Sequence, residues 1–333
     1  MQFIASITRE PSKIRKLLRL WAEGGDQRNP FARVLVTPLF THPRSLTLIR
    51  DMKATGQIEQ VYFDSGGYFV QTGRIDYYEM YWQLLRFYEA NDWGDWYVLP
   101  DHVPSSSDDL DTVWFKVRET AQFSRQFYHE MPVPLRERAL PVVHGHSIEQ
   151  VEYCLKMYTD LDVQRIGFGS FGTGGKGNGV NTLTPHALSS LSLLSDLLAQ
   201  QGVQIHAFGV GTPPVIYLLD KVGVHSFDSV GWMKTAGFGK IYMPLVRAYN
   251  ITYNDPNARG LTEERFNILK AETGHSCYFC RSFDQLVKQR DLRMMHNLTV
   301  ILDTIEVLET DTNLSLLQTY SPRYARLAQG VVQ

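Results

Sequence analysis

Short apolar segments rich in β-branched and aromatic residues alternate with helical segments along most of the chain. Seven such segments can be identified, and they are ARVLVTP, QVYFDSG, DWYVLPD, ALPVVHG, RIGFGS, QIHAFGVG and GVHSFDSV. Regular alternation of strands and helices is typical of βα units around a parallel sheet. It predicts an α/β fold, a (β/α)8 TIM barrel, with the eighth strand in the less regular stretch after Gly239. An open doubly wound sheet is the alternative.

Helix signals lie between the predicted strands. Ser147 and Gln150 have the spacing of a capping box, and residues 75–89 and 108–129 have the apolar period of long amphipathic helices. A further helix is expected over residues 291–309. These helices separate successive strands, as a barrel requires.

The 333 residues contain no repeat, low-complexity tract or linker. Barrels of this size commonly fold as one unit with insertions. We therefore predict a single barrel over residues 1–333, with a small zinc-binding subdomain near residues 260–300.

The composition excludes some classes of protein. Hydrophobic residues make up 44% and charged residues 20%, and no apolar run is long enough to span a bilayer. The N-terminal segment lacks the features of a secretory signal, and three cysteines suit a reducing compartment, so a cytoplasmic location is expected. A net charge of -2 argues against indiscriminate coating of nucleic acid but does not exclude a local basic face.

Four residues near the C-terminus have the spacing of a metal site. They are His275, Cys277 and Cys280, followed by His296 after fifteen further residues. Structural zinc takes thiolate and imidazole ligands, and a Cys-x2-Cys turn can place both sulfurs on one ion. The spacing predicts a structural Zn2+ site. Two buried free thiols with two surface histidines are the alternative.

Polar residues follow several of the predicted strands. Asp64, Asp101 and Asp228 each come after an apolar run, as does His144, and Phe208 follows the strand QIHA. In barrel enzymes the side chains at the C-terminal ends of the strands meet at one mouth. A single aspartate can instead cap a helix or turn. Three carboxylates in this position predict a catalytic site.

The glycine-rich stretch at residues 167–179 contains Gly-x-Gly-x-x-Gly after a strand. A dinucleotide site also requires a following helix and an acidic residue about twenty positions on, and both are missing. The Gly-Lys pair in the stretch lacks the rest of a phosphate-binding loop. The glycines instead predict close backbone approach to a flat ligand.

His144 and His146 lie two positions apart and can share one face of a strand. Paired histidines at a barrel strand end bind catalytic metal in many hydrolases. A metal-dependent hydrolase is therefore one alternative function. A binding module that has lost catalysis is another.

The chain resembles the tRNA-guanine transglycosylase superfamily between residues 34 and 308. FDSGGYF at residues 63–69 resembles that family's Asp-Ser-Gly-Gly-aromatic motif, and HAFGVGTP at residues 206–213 resembles its Gly-Val-Gly turn. SFDSV at residues 226–230 is similar to the strand that carries its nucleophilic aspartate. The Cys-x2-Cys pair with the later histidine resembles its zinc subdomain. The order and spacing of these motifs together are specific.

The resemblance implies a pentosyltransferase that exchanges guanine in a polynucleotide for a 7-deazaguanine base of the preQ0 type. Asp228 corresponds to the nucleophile, which forms a covalent glycosyl-enzyme as carboxylates do in retaining glycosidases. Asp64 corresponds to the general acid–base group. The residues implied in substrate binding are Ser65, Tyr68, Asp101, His144, Gly169, Ser170 and Phe208.

Some of these residues have an implied role. Asp101 would accept hydrogen bonds from the donor edge of guanine. Tyr68 and Phe208 would stack on the flipped base, and the amides of residues 169–171 would bind its carbonyl.

The chain departs from the tRNA enzymes at several positions. His144 stands where they have a glutamine, although a neutral imidazole can still donate one hydrogen bond. His275 replaces the first zinc cysteine, and the spacing to His296 is shorter than usual. The segment GWMKTAGFGK after Asp228 lacks their Pro-Thr-Arg pattern, and residues 71–104 lack their long loop.

With these departures the chain resembles the DNA-modifying relatives of the DpdA type more than the tRNA enzymes, and an appended RNA-binding domain is not expected. DNA is therefore the expected polymer, and tRNA modification of the queuosine or archaeosine type is the alternative. The expected partners are a nucleic acid, a 7-deazaguanine base, and a second copy of the chain or proteins that deliver the strand.

Overall fold

The computed structural model describes residues 1–171, 183–252, 260–310 and 314–331. Its strands are short and most are four or five residues long. They are β1 (Gln2–Ser6), β2 (Arg33–Val36), β3 (Gln60–Phe63), β4 (Trp96–Val98), β5 (Ala139–Leu140), β6 (Val142–Val143), β7 (Arg165–Phe168), β8 (Gln204–Ala207), β9 (Ser226–Ser229), β10 (Lys240–Met243) and β11 (Val246–Asn250).

The helices alternate with the strands. They are α1 (Pro11–Gly24), α2 (Pro43–Ala54), α3 (Gly67–Gln71), α4 (Tyr77–Ala90), α5 (Leu110–Glu130), α6 (Ile148–Tyr158), α7 (Pro185–Ala199), α8 (Pro213–Lys221), α9 (Gly231–Gly237), α10 (Glu263–Thr273), α11 (Phe283–Lys288), α12 (Arg290–Thr310), α13 (Leu314–Tyr320) and α14 (Pro322–Val331), with short 3-10 turns at Pro38–Phe40, Val133–Arg138 and Tyr278–Cys280. The three long helices predicted from the sequence correspond to α4, α5 and α12. The predicted capping box also forms at the start of α6, where the Ser147 amide donates to Gln150 Oε1 at 3.2 Å. None of the described helices is long and apolar enough to cross a membrane.

Nine of the strands form one parallel sheet in the order β5-β4-β3-β2-β1-β9-β8-β7-β6. The two ends of this order, β5 and β6, are consecutive in the chain and are separated only by Pro141. Proline has no amide hydrogen to donate, so the ladder is interrupted at this residue. The Pro141 carbonyl still accepts from the Gly167 amide at 2.8 Å. The sheet therefore closes around a barrel of eight strand positions, which confirms the predicted fold class.

The predicted position of the eighth strand is wrong. The missing strand is β1, which pairs in parallel with β2 on one side and with β9 on the other. The stretch after Gly239 instead forms an antiparallel hairpin of β10 and β11. Strand β1 has only three fully buried residues, Phe3, Ile4 and Ala5, and so short an apolar run gives a weak signal.

Alternate residues of the barrel strands face two different cores. A small cluster of five residues lies in the barrel interior, and it consists of Ile4, Leu35, Tyr62, Trp96 and Leu140. Their sequence neighbours, including Val34, Val36 and Phe63, belong to the large cluster between the sheet and the helices. This alternation is the two-residue period of a strand. A side chain near the end of a strand therefore faces either the barrel interior or the surrounding helices, according to its position in this alternation.

A separate hydrophobic cluster joins the hairpin to α10 and α11. It contains Ile241, Val246, Phe266, Leu286 and Cys280, all almost fully buried. One of the predicted metal ligands thus lies within this second core. Burial of these side chains packs the polypeptide around residues 275–296 against the hairpin.

Candidate functional site

One cavity of about 310 Å³ opens at the C-terminal ends of the barrel strands. Its wall contains the three predicted carboxylates, Asp64, Asp101 and Asp228, together with His144 and Phe208. Asp64, His144 and Phe208 directly follow strands of the barrel, Asp101 comes three residues after β4, and Asp228 lies within β9. Tyr68 and Gly169 also line the cavity, whereas Ser65 and Ser170 are buried behind the wall.

Asp64 directly follows β3, and its amide donates to the Val36 carbonyl at 2.9 Å. The Thr37 hydroxyl donates to Asp64 Oδ2 at 2.8 Å. Burial and the neighbouring charges of Asp101 and Asp228 raise the pKa of Asp64 to about 7. A carboxyl group that titrates near neutral pH can both give and take a proton.

Asp228 lies on β9, opposite Ile4 of β1. The Ser6 hydroxyl donates to Oδ2 at 2.6 Å, and the Gly209 amide donates to Oδ1 at 2.7 Å. The residue is 5% exposed, and it lines the cavity. Two donors from separate strand ends therefore hold the carboxylate in one orientation at the cavity wall.

Asp101 belongs to a chain of buried side chains. The Ser65 hydroxyl donates to Asp101 Oδ1, and His144 Nε2 lies 2.9 Å from Asp101 Oδ2. His144 Nδ1 in turn lies 3.1 Å from the Ser170 oxygen, which accepts from the Gly145 amide. Both ring nitrogens of His144 therefore have protein partners, and a hydrogen bond from its ring to a ligand would have to replace one of them. Each oxygen of Asp101 retains a lone pair for a ligand donor.

Two glycines allow this part of the wall to close tightly. A Cβ atom at Gly67 would lie 2.4 Å from Asp101 Oδ1, and one at Gly169 would lie 2.6 Å from His144 Cε1. The predicted close backbone approach therefore occurs, but toward residues of the site wall. The remainder of the glycine-rich stretch, residues 172–182, lies outside the described residues.

Two of the three amides of residues 169–171, which the resemblance implies in binding the carbonyl of the base, already have acceptors in the protein. The Gly169 amide already donates to the Val143 carbonyl at 3.3 Å, and the Phe171 amide donates to the Gly169 carbonyl at 3.0 Å. Only the Ser170 amide has no hydrogen-bond acceptor within the described part of the chain. At most one of these three amides is thus free for a ligand without rearrangement.

Basic residues that the sequence analysis did not single out stand at the cavity mouth. Arg9 follows β1, Lys234 lies on α9, and both line the cavity. Burial and the charge of Arg290 lower the pKa of Arg9, and burial and the charge of Arg9 lower the pKa of Lys234. None of the ion pairs among the described residues involves these three cations. Lys234 also lies over the half-exposed ring of Tyr68, 5.6 Å from its centroid.

The four predicted metal ligands meet in one cluster. One potential ligand atom from each of His275, Cys277, Cys280 and His296 lies within 4.8 Å of the other three. A hydrogen bond from the Cys277 thiol lowers the pKa of the Cys280 thiol, which favours the thiolate form that metals bind. The cluster can therefore hold a metal ion.

The outer nitrogens of both histidines have acceptors. His275 Nδ1 lies 2.5 Å from Asp303 Oδ2, and His296 Nε2 lies 2.9 Å from the Tyr242 carbonyl. Donation to these oxygens leaves His275 Nε2 and His296 Nδ1, which are 3.3 Å apart, with lone pairs facing the cluster. Metal-binding histidines in proteins are usually oriented in this way.

His144 and His146 do not form a second cluster of this kind. His146 is exposed, whereas His144 is fully buried and has both nitrogens bonded. Within residues 1–171, 183–252, 260–310 and 314–331, the only group of three or more ligand-type residues close enough to hold an ion is the one that contains His275 and His296.

Neither a scan of protein-family models nor a search of curated proteins finds a match to this chain.

Proposed function

We propose that this protein is a guanine transglycosylase that exchanges guanine for a 7-deazaguanine base in a polynucleotide. The observation that carries the proposal is that Asp64, Asp101 and Asp228 come from separate strand ends and line one cavity. Their environments differ, since Asp64 titrates near pH 7 while Asp228 is held by two donors. Carboxylates in unlike environments can divide acid–base and nucleophilic roles between them.

In the first half-reaction a carboxylate oxygen of Asp228 forms a bond to the sugar C1′ while the C1′–N9 bond breaks. The electron pair of the broken bond passes to guanine, which takes a proton from Asp64. In the second half-reaction the incoming base gives a proton to Asp64, and its nitrogen attacks C1′. The ester bond then breaks, and its electron pair returns to Asp228. The two half-reactions together return Asp64 and Asp228 to their starting states and consume no cofactor.

Asp101 is proposed to bind the base. Its oxygens can accept from the N1–H and amino groups of guanine, a donor pair that adenine lacks. Tyr68 and Phe208 line the same cavity and can stack on an extruded base. His144 orients Asp101 through its Nε2 contact, so the histidine at this position supports base binding indirectly.

The cations at the mouth support a polymeric substrate. The positive charge of Arg9 opposes that of Lys234 and that of Arg290, and none of the three forms an ion pair with a described carboxylate. Phosphates on either side of an extruded nucleotide would neutralise them. DNA is the polymer we propose, because of the departures from the tRNA enzymes at His144 and after Asp228, and tRNA is the second candidate.

The metal is proposed to be Zn2+. Two thiolates and two imidazoles at mutual ligand distances form the donor set of structural zinc sites. The cluster lies within the hydrophobic core of the hairpin region, and its role is to hold this region on the barrel.

Incubation with radiolabelled guanine tests the proposal. The protein should incorporate label into duplex DNA, and the Asp228→Ala variant should bind the DNA without incorporating label or forming an adduct that survives denaturation. Label retained by bulk tRNA alone would overturn the preference for DNA. An adduct formed by Asp228→Ala would overturn the nucleophile assignment, and two metal ions per chain by mass spectrometry would favour a metal-dependent hydrolase.

A further inference from the structure

A serine, a histidine and an aspartate lie in line across β8 and β9. His206 of β8 pairs with Ser226 of β9 in the parallel register. Its Nδ1 lies 2.9 Å from the Ser226 hydroxyl, and its Nε2 lies 3.5 Å from Asp228 Oδ1. His206 and Ser226 are both fully buried.

The order of this triad relative to the cavity is the reverse of that in a serine hydrolase. In a hydrolase the serine faces the substrate and the aspartate supports the histidine from behind. Here Asp228 lines the cavity, while Ser226 and His206 do not. The serine cannot reach a substrate, so the histidine and serine can act only through the aspartate.

The imidazole is held rigidly by aromatic rings. Tyr62 stacks on it with ring centroids 5.6 Å apart, and Phe208 meets it edge-on with centroids 4.4 Å apart. His206 Nε2 is a buried atom without a hydrogen-bond partner at normal distance in the described part of the chain. Asp228 Oδ1 lies 3.5 Å from this nitrogen, so a hydrogen on Nε2 can be directed at the carboxylate.

We infer that His206 is a positioning residue for Asp228, acting with Ser6 and the Gly209 amide. This inference rests on the proposed function, because it assigns Asp228 the nucleophilic role. The Ser226 hydroxyl donates to Nδ1, which leaves the hydrogen on Nε2 and directs it at Asp228 Oδ1. Two hydrogen bonds and this longer contact from Nε2 at 3.5 Å then restrict the carboxylate to one rotamer, in which an oxygen faces C1′ in both half-reactions. The imidazole transfers no proton, and Asp64 remains the group that gives and takes the proton in the two half-reactions.

The test compares two substitutions of the same residue. His206→Leu removes the donor, whereas His206→Gln places an amide N–H near the position of Nε2. We expect His206→Leu to lower kcat for guanine exchange by about 10²-fold with little change in KM for the polynucleotide, because misplacement of a reacting group acts on the chemical step. His206→Gln should restore most of the loss. His225→Gln is the matched control, since His225 directly precedes β9 and does not line the cavity, and the kcat of this variant should be unchanged.

The possible results separate the inference from the proposed function. If the unmodified protein exchanges guanine and His206→Leu does so equally fast, the inference is wrong and the proposed function stands. If the unmodified protein exchanges no guanine, the proposed function fails and the inference fails with it. If His206→Leu does not fold by circular dichroism, Ser226→Ala decides, because it removes only the group that orients the ring. A several-fold fall in its kcat supports the inference, and an unchanged kcat overturns it.

Discussion

Replacing Asp64 with asparagine should stabilise the protein at alkaline pH and leave its stability unchanged in acid. Asp64 is buried close to the negative charges of Asp101 and Asp228. Burial and these charges raise its pKa from 3.8 to about 7. The folded protein therefore binds a proton at this site more tightly than the unfolded chain does. Its free energy of unfolding must fall as pH rises from about 4 to about 7, since the cost of the buried charge appears over this range.

The size of the effect follows from the same pKa. One pKa unit corresponds to about 1.4 kcal/mol, so the rise from 3.8 to about 7 corresponds to at most about 4 kcal/mol. Water that reaches the carboxyl from the cavity reduces this figure. Asparagine has no charge to lose and its side-chain oxygen can still accept from the Thr37 hydroxyl, so the variant keeps the local hydrogen bond.

Urea unfolding followed by tryptophan fluorescence, repeated between pH 4 and pH 9, measures the difference directly. We expect the curves of Asp64→Asn and the unmodified protein to coincide near pH 4 and to separate by about 2 to 4 kcal/mol above pH 8, with the variant more stable. A difference that does not vary with pH, or a variant that is less stable at pH 8, would refute the assigned cause. The variant should also lose guanine exchange, so stability and activity should change in opposite directions.

Three further predictions concern the wall, the mouth and the metal cluster. Gly169→Ala should lower the free energy of unfolding by about 1 to 3 kcal/mol in urea titrations, because its Cβ would lie 2.6 Å from His144; Gly330→Ala, where no atom lies within 4 Å, is the control and should not destabilise. Lys234→Gln should weaken DNA binding and reduce the slope of log K against log salt by about 1, measured by fluorescence anisotropy. Asp303→Ala should lower metal affinity about 10- to 100-fold in chelator competition, because it removes the acceptor of His275.

The fold could be predicted from the sequence except at one strand. Seven strands have apolar runs long enough to be identified, and the long helices α4, α5 and α12 have clear periods. β1 was missed because three buried residues do not form a recognisable period. Its place is determined instead by pairing with β2 and β9, which are distant in the sequence. The closure at Pro141 is likewise visible only in the assembled sheet.

The candidate site could be predicted in part. Asp64, Asp101 and Asp228 stand shortly after or within apolar strands, and parallel strands bring such residues to one mouth. The metal cluster was recognisable from the spacing of its cysteines. The partners of these groups were not recognisable, since Ser6 and Asp228 are 222 residues apart and meet only through the barrel register. The same is true of Asp303, which reaches His275 from α12.

Strand β1 links the stability of the barrel to the geometry of the site. It lies between β2 and β9, so the strand that carries Asp228 would become a sheet edge without it. The same strand and the turn after it supply Ser6, which holds Asp228, and Arg9, which lines the mouth. Since the backbone ladder of β1 fixes Ile4 opposite Asp228, a shift of this pairing by one residue would turn Ser6 away from the carboxylate. The hydrogen bonds that hold β1 between β2 and β9 therefore also set the position of the proposed nucleophile, and a substitution that shifts the register of β1 should lower catalysis without removing any contact with substrate.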